Sequence, residues 1–186
     1  MTLEAIIEGC KNKNNKSEAT LVKEYAPTLL AICQRYCYER SLAHDALQET
    51  FINIFKYINS YSGKGSFEGW MKRIAVNSSI QLLKKYKPLD FEEDNHLEKV
   101  VEAQVPDVSS SMSVDEILSL INELPKSLAL VFNLYIVEGY SHNEIGEMLN
   151  ITSSTSRSHL TKARVKMIEM INAQNEVVES TYYNKI

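Results

Sequence analysis

Ser141-His142-Asn143-Glu144-Ile145-Gly146-Glu147-Met148-Leu149-Asn150-Ile151-Thr152-Ser153-Ser154-Thr155-Ser156-Arg157-Ser158-His159-Leu160 decides the architecture of the C-terminal part of the chain. Ser141 and Glu144 stand at capping-box spacing: the hydroxyl can accept the N3 amide proton, and the carboxylate can reach back to the Ser141 N–H. Ile145, Met148 and Leu149 supply the apolar face of the short helix that follows. Gly146 leaves room for a second helix to approach closely, Asn150 suits a left-handed turn position, and Ile151 plugs the corner. Thr152 or Ser153 caps a second helix whose Leu160, Ala163, Met167 and Ile171 face inward. A short helix, a tight turn and a longer helix have the proportions of a helix-turn-helix.

The outer face of that second helix carries small hydroxyls and then cations. Ser153, Ser154 and Thr155 open it, followed by Arg157, Ser158, His159, Thr161, Lys162, Arg164 and Lys166. A recognition helix sets its N-terminal residues at base edges while flanking cations hold the phosphates. Arg157 is the leading base-edge candidate, because a guanidinium pairs bidentately with guanine. The plain alternative is a solvated basic helix face.

Outward from this motif the periodicity stays helical. Ile117, Leu118, Ile121 and Leu124 predict one helix. Pro125 opens the next at the first helical position, where its missing N–H does no harm. Leu128, Val131, Phe132 and Tyr135 form that helix's buried stripe, and Gly139 caps its end. Near the N-terminus, Leu3, Ile6, Ile7 and Cys10 lie on one face of a short helix. Ser17 is the expected cap of a second helix carrying Leu21, Val22, Tyr25, Leu29, Cys33, Tyr36 and Cys37. Pro27 should kink or restart it. A third helix from about Leu42 carries Leu47, Phe51, Ile54, Phe55 and Ile58. After the loop from Ser60 to Ser66, a fourth runs from Phe67 to Tyr86.

Between Pro88 and Glu116 the character changes. This stretch holds nine acidic residues against one basic one, two prolines and a triple serine. It reads as a linker, extended or partly disordered. The expected layout is all-α: residues 1–87 form one small helical domain, 88–116 an acidic flexible linker, 117–175 a second small helical domain, and 176–186 a C-terminal tail.

Composition removes other classes. With 44% apolar and 24% charged residues over 186 positions, the chain is globular. Few glycines and prolines argue against a β-sandwich or barrel. No run approaches the roughly 20 apolar residues of a membrane span, and the first residues have no secretory pattern. Cys10, Cys33 and Cys37 read as free thiols of a reducing cytoplasm. A zinc site on Cys33 and Cys37 with His44 is the remoter alternative. Gly63-Lys64-Gly65-Ser66 lacks the spacing and preceding strand of a phosphate loop. The scattered His44, His96, His142 and His159 form no nucleophile–base constellation. No enzyme activity, cofactor, metal or small-molecule substrate is expected.

The net charge of −4 first speaks against nucleic acid, but it is an average. Residues 1–87 carry +5, residues 88–116 carry −8, and residues 117–186 carry −1. Within the first segment, Tyr61, Lys64, Phe67, Trp70, Lys72, Arg73, Asn77, Lys84, Lys85, Tyr86 and Lys87 interleave rings and cations. Such a surface can stack bases and follow phosphates of a single strand. Phe67 and Ile74 are better read as core; Trp70 fits either role. The near-neutral C-terminal segment predicts weak DNA binding by the free protein.

Two blocks make the chain recognisable. Asp45-Ala46-Leu47-Gln48-Glu49-Thr50-Phe51 with Ser66-Phe67-Glu68-Gly69-Trp70-Met71-Lys72-Arg73-Ile74-Ala75-Val76-Asn77 resembles the second conserved region of bacterial sigma factors. Leu124-Pro125 through Tyr135, with Glu138 to Ile145, resembles their fourth region. Two such regions and a linker resemble the extracytoplasmic-function type. The resemblance implies a factor that binds core RNA polymerase and directs promoter-specific initiation in the cytoplasm. Asp45, Gln48, Glu49 and Asn53 would contact the clamp helices of the largest polymerase subunit, and the flap would be a further docking site. Tyr61, Ser62, Lys64, Trp70, Lys72, Arg73, Asn77 and Lys84 would hold the melted −10 element, with one base flipped into the loop. Ser153, Ser154, Thr155, Arg157, Ser158, His159, Thr161, Lys162 and Arg164 would serve the −35 element. The acidic linker would run through the RNA exit path, and an anti-sigma factor is a further partner that the family implies.

Three departures from the family pattern stand out, at five positions. Gln81 and Lys84 replace an Asp and an Arg, Ser153 and Ser154 replace an acidic residue and Gly, and His159 replaces Arg or Gln. These bear on promoter sequence more than on function. The competing reading is a helix-turn-helix regulator acting without core polymerase. It needs no aromatic and cationic surface between Tyr61 and Lys87.

Overall fold

Small residues let three long helices of the first unit cross closely. In the computed structural model, which describes residues 1–86, 91 and 113–183, these are α2 (Asn15–Tyr36), α3 (Arg40–Tyr57) and α4 (Phe67–Tyr86). Lys87, the acidic stretch 92–112 with its His96, and residues 184–186 lie outside the described residues, as therefore does most of the expected flexible linker. The described residues are helical with no strand, and the chain divides into two units, Met1–Pro88 and Leu89–Ile186.

In the first unit, α2, α3 and α4 each pack on the other two, and α1 (Leu3–Lys11) lies on α2. Ala43, Ala46 and Ala75 are fully buried beside Leu21, Leu29, Ile54 and Met71, so short side chains alternate with long ones across the core. Buried hydroxyls close on their own helices: Thr50 Oγ1 donates to the Ala46 carbonyl at 2.6 Å, and Ser79 Oγ to the Ala75 carbonyl at 2.7 Å. Asn14, rather than Ser17, caps α2, its Oδ1 accepting from the Lys16 and Ser17 amides at 3.0 and 3.1 Å. Ser17 is instead buried against α1, where a Cβ on Gly9 would overlap its hydroxyl. α2 runs through Pro27 without restarting. Pro27 and Lys23 are both exposed, so water can serve the carbonyl that the ring leaves without a donor.

The second unit starts earlier than its periodicity predicts. α5 spans Val114–Glu123 because Ser113 and Glu116 form a capping box, with Ser113 N–H donating to Glu116 Oε2 at 2.7 Å. Pro125 stands just outside α6 (Lys126–Phe132), as its cap. α6 is buried on more than one side, with Ala129, Leu130, Val131 and Phe132 all inside, while Leu128 and Tyr135 are only half-buried. A π-helical turn, Asn133–Val137, continues it. The Glu138 N–H returns to the Asn133 carbonyl at 3.0 Å, and Gly139 follows at φ 75°.

α7 (His142–Leu149) and α8 (Ser153–Tyr183) form the helix-turn-helix. The Ser141–Glu144 capping box is present, with Ser141 N–H donating to Glu144 Oε2 at 2.8 Å. Asn150 closes α7 in the left-handed conformation, φ 59° and ψ 44°. Thr152 caps α8, its Oγ1 accepting from Thr155 N–H at 3.0 Å. α8 continues to Tyr183, through most of the residues expected as a tail.

One histidine joins these helices, and a second is buried along α8. His142 stacks on Tyr135 with ring centroids 4.4 Å apart, and its Nδ1 lies 2.9 Å from the hydroxyl of the fully buried Ser156. His159 is itself buried, donates from Nδ1 to the Thr155 carbonyl at 3.0 Å, and meets the Phe91 ring at 5.4 Å. Desolvation holds both below their ordinary value of 6.5, aided by Arg157 and Arg164 at His142 and by Lys162 at His159.

A Cβ at Gly146 would stand 2.8 Å from the Ile151 carbonyl, so Gly146→Ala must shift the turn. We expect a loss of about 1–3 kcal/mol in chemical denaturation, while Ala at exposed Asn143 stays near wild type. Acid should also weaken the second unit. The unfolded chain takes protons at His142 and His159 below pH 6.5 that the fold resists, so stability falls as pH drops through that value. Urea midpoints measured between about pH 7.5 and 5.5 should show this slope. It should flatten in the His142→Gln, His159→Gln double variant; an equal slope there refutes the assignment.

Candidate nucleic-acid interface

The open face of α8 follows from what its other face buries. Ser156, Leu160 and Ala163 are inside, which turns Ser154, Arg157 and Arg164 outward, with Ser153, Ser158, Thr161 and Lys162 half-exposed beside them. Arg157 Nη2 donates to Ser153 Oγ at 3.2 Å, and Thr161 Oγ1 donates to the Arg157 carbonyl at 3.1 Å. The guanidinium thus rests over the first turn of α8, where a recognition helix meets base edges. Thr155 is partly spent on the cap, with its hydroxyl 2.8 Å from that of Thr152. His159 corrects the reading of its sequence position. It is buried against Thr155 and Phe91 and does not belong to the exposed face. Lys166 pairs with Glu169 at 3.3 Å, an exposed contact of small energetic worth.

In the first unit the loop before α4 is built around three rings. A short 3-10 turn, Ile58–Ser60, delivers the chain to Tyr61. The Tyr61 ring lies 5.0 Å from Phe67, edge-on, and 5.6 Å from Trp70, while Phe67 and Trp70 stack at 5.4 Å. Phe67 is buried, as its core reading expects; Tyr61 and Trp70 are half-buried. Gly63 and Gly65 sit at φ 75° and 80°, conformations that other residues adopt only with strain. Ser62 and Lys64 are exposed at the tip. Ser66 then opens α4, its hydroxyl accepting from Gly69 N–H at 3.0 Å.

From Trp70 one face of α4 continues through Arg73, Asn77, Gln81 and Lys84, all four exposed. Lys72 stands apart from this line. It is bound to Glu68 at 2.7 Å, an i,i+4 ion pair that offsets its charge. The Asp and Arg that the family pattern carries at two of these positions are Gln81 and Lys84 here, so the face keeps a cation and carries an amide where the acid would stand.

α3 presents a different surface. Asp45, Gln48 and Glu49 are exposed on one face, and Ile52 continues it at 58% exposure. Asn53 points elsewhere: its Nδ2 donates to Ser78 Oγ on α4 at 3.2 Å, so it ties two helices together at the edge of that face. Sequence reading missed Ile52. Its register, three residues after Glu49 and seven after Asp45, was the available signal, but an apolar residue in an apolar pattern reads as core.

The thiols are internal. Cys33 and Cys37 are buried; Cys37 is pushed up to about 11 by burial and then by Cys33, and its Sγ meets the Ser79 carbonyl at 3.9 Å. His44 is exposed on α3, whereas both thiols are internal. Among the described residues no three His, Cys, Asp or Glu side chains gather at one point.

Comparison with known proteins agrees with this division. The family model for sigma-70 region 2 matches residues 21–88, and that for sigma-70 region 4 matches residues 114–167. The chain is 28% identical over 181 residues to the ECF RNA polymerase sigma-E factor of Haemophilus influenzae, covering 91% of this chain and 94% of that one. It is also 28% identical to the ECF RNA polymerase sigma factor SigW of Bacillus subtilis, with 88% and 94% covered. Identity to the RNA polymerase sigma-H factor of Pseudomonas aeruginosa is 25%, with 86% and 88% covered. With both conserved regions matched in order, and relatives spanning nearly its whole length, the chain belongs to the extracytoplasmic-function sigma factors of bacterial RNA polymerase.

Proposed function

We propose a division of labour among the three surfaces of this sigma factor. The α3 face of Asp45, Gln48, Glu49 and Ile52 docks on the clamp helices of the largest core polymerase subunit, around an apolar centre with a polar surround. The loop at Tyr61 and the α4 line of Trp70, Arg73, Asn77 and Lys84 take the opened −10 strand. Aromatic stacking and phosphate neutralisation need rings and cations in that alternation. α8 enters the major groove at the −35 element with Ser153, Ser154 and Arg157 foremost, and Thr161, Lys162 and Arg164 toward phosphates. The acidic tether favours the basic RNA exit path, and the second unit uses the flap. The chain itself catalyses nothing; it lends promoter choice to the polymerase, in the cytoplasm where that enzyme works. An anti-sigma factor is the fitting antagonist.

The observation that carries this reading is the coexistence of a helix-turn-helix with the aromatic loop and cationic line of α4. A regulator acting alone has no use for the second surface. Run-off transcription with purified core polymerase separates the two, using promoters drawn from transcription starts mapped after overexpression. The sigma reading expects transcripts only when both proteins are present. Tight duplex binding by the free chain with no transcript would favour the regulator. Arg157→Ala should cost about 1–3 kcal/mol at one upstream base pair and little elsewhere. An even loss across all promoter sequences would make Arg157 a phosphate contact.

A further inference from the structure

Tyr61 does more than line the loop. Its hydroxyl donates to the Gly65 carbonyl at 2.8 Å and so closes the segment from 61 to 65 on itself. Within that segment Gly63 and Gly65 have positive φ, and a Cβ at either would meet nothing within 4 Å. The two glycines therefore have no side-chain packing to limit their backbone freedom, and glycine has the most such freedom to lose. The ring of Tyr61 is meanwhile fixed by Phe67 and Trp70, and Phe67 is buried at the first turn of α4. One bond thus connects the glycine tip to a rigid helix end.

We propose that Tyr61 is a positioning residue, whose hydroxyl clasps the Gly63–Gly65 tip in the shape that selects among bases flipped from the −10 strand. The proposal rests on the reading of this loop as the capture site. Selection needs a pocket of fixed shape: a loop free to adapt accepts several bases at similar cost, whereas a preorganised one does not. Unclasping should therefore erode discrimination while sparing the fold and the other surfaces. The bond is open to water, so the effect is modest, about two- to fivefold.

Tyr61→Phe removes the hydroxyl and keeps the ring packing. The test uses holoenzyme and single-stranded oligonucleotides that carry the −10 element of this factor's own promoters, with each of the four bases at the flipped position. The expected result is about a two- to fivefold loss of preference for the best base, with faster amide exchange across residues 62–65. Core polymerase affinity and melting temperature should stay at wild-type values. If either discrimination or loop exchange remains at the wild-type value, the clasp has no such role. An equal loss for all four bases also overturns it, since the hydroxyl would then contact the strand generally. If wild-type holoenzyme itself shows no base preference, the failure lies in the capture-site reading, and the proposal falls with it.

Discussion

The helix-turn-helix depends on one close approach. Gly146 comes so near the Ile151 carbonyl that no side chain fits between them, and Asn150 takes a left-handed conformation to bring that carbonyl there. The Ile151 N–H returns to the Gly146 carbonyl at 3.0 Å, so the corner is held from both sides. This corner sets the angle at which α8 leaves α7, and with it which residues of α8 are inside. Ser156 and His159 become buried and polar. Each finds a partner, at His142 and at the Thr155 carbonyl, so neither carries the cost of a lone buried donor. Arg157 then has only the outer face left to occupy.

The first unit solves a related problem differently. Its helices are amphipathic, and what is not buried forms two surfaces of different chemistry. Alanines and small hydroxyls at the crossings let α3 and α4 approach, which leaves their outer faces pointing to different surroundings. α3 shows acids around Ile52, and α4 shows a ring, cations and amides. An acidic surface with an apolar centre and an aromatic, cationic surface thus coexist on neighbouring helices, because one side chain in three or four suffices to define each.

Charge supports the same separation. A chain of net −4 can approach DNA where its cations are collected and its acids are elsewhere. The acids are concentrated between residues 88 and 116, and the cations of the second unit are gathered on α8. Arg157 and Arg164 project enough field to help hold His142 neutral, although burial is the larger cause.

The sequence by itself determined the all-α class, the two helical parts, the capping box at Ser141, the left-handed Asn150 and the small residue at 146, because each is a local rule of backbone and spacing. It also exposed the two motif blocks of the family. It misplaced what depends on distant neighbours. Ser17 looked like a cap until Asn14 and the approach of α1 claimed it for the interior. His159 looked like a DNA contact and Asn53 like an open surface residue, and Ile52 was passed over. Periodicity says which residues share a face, but not which face a neighbouring helix will cover. Only the tertiary packing decided that, by burying His159 under Phe91, turning Asn53 toward Ser78, leaving Ile52 in the open, and placing the Tyr61 hydroxyl on the Gly65 carbonyl.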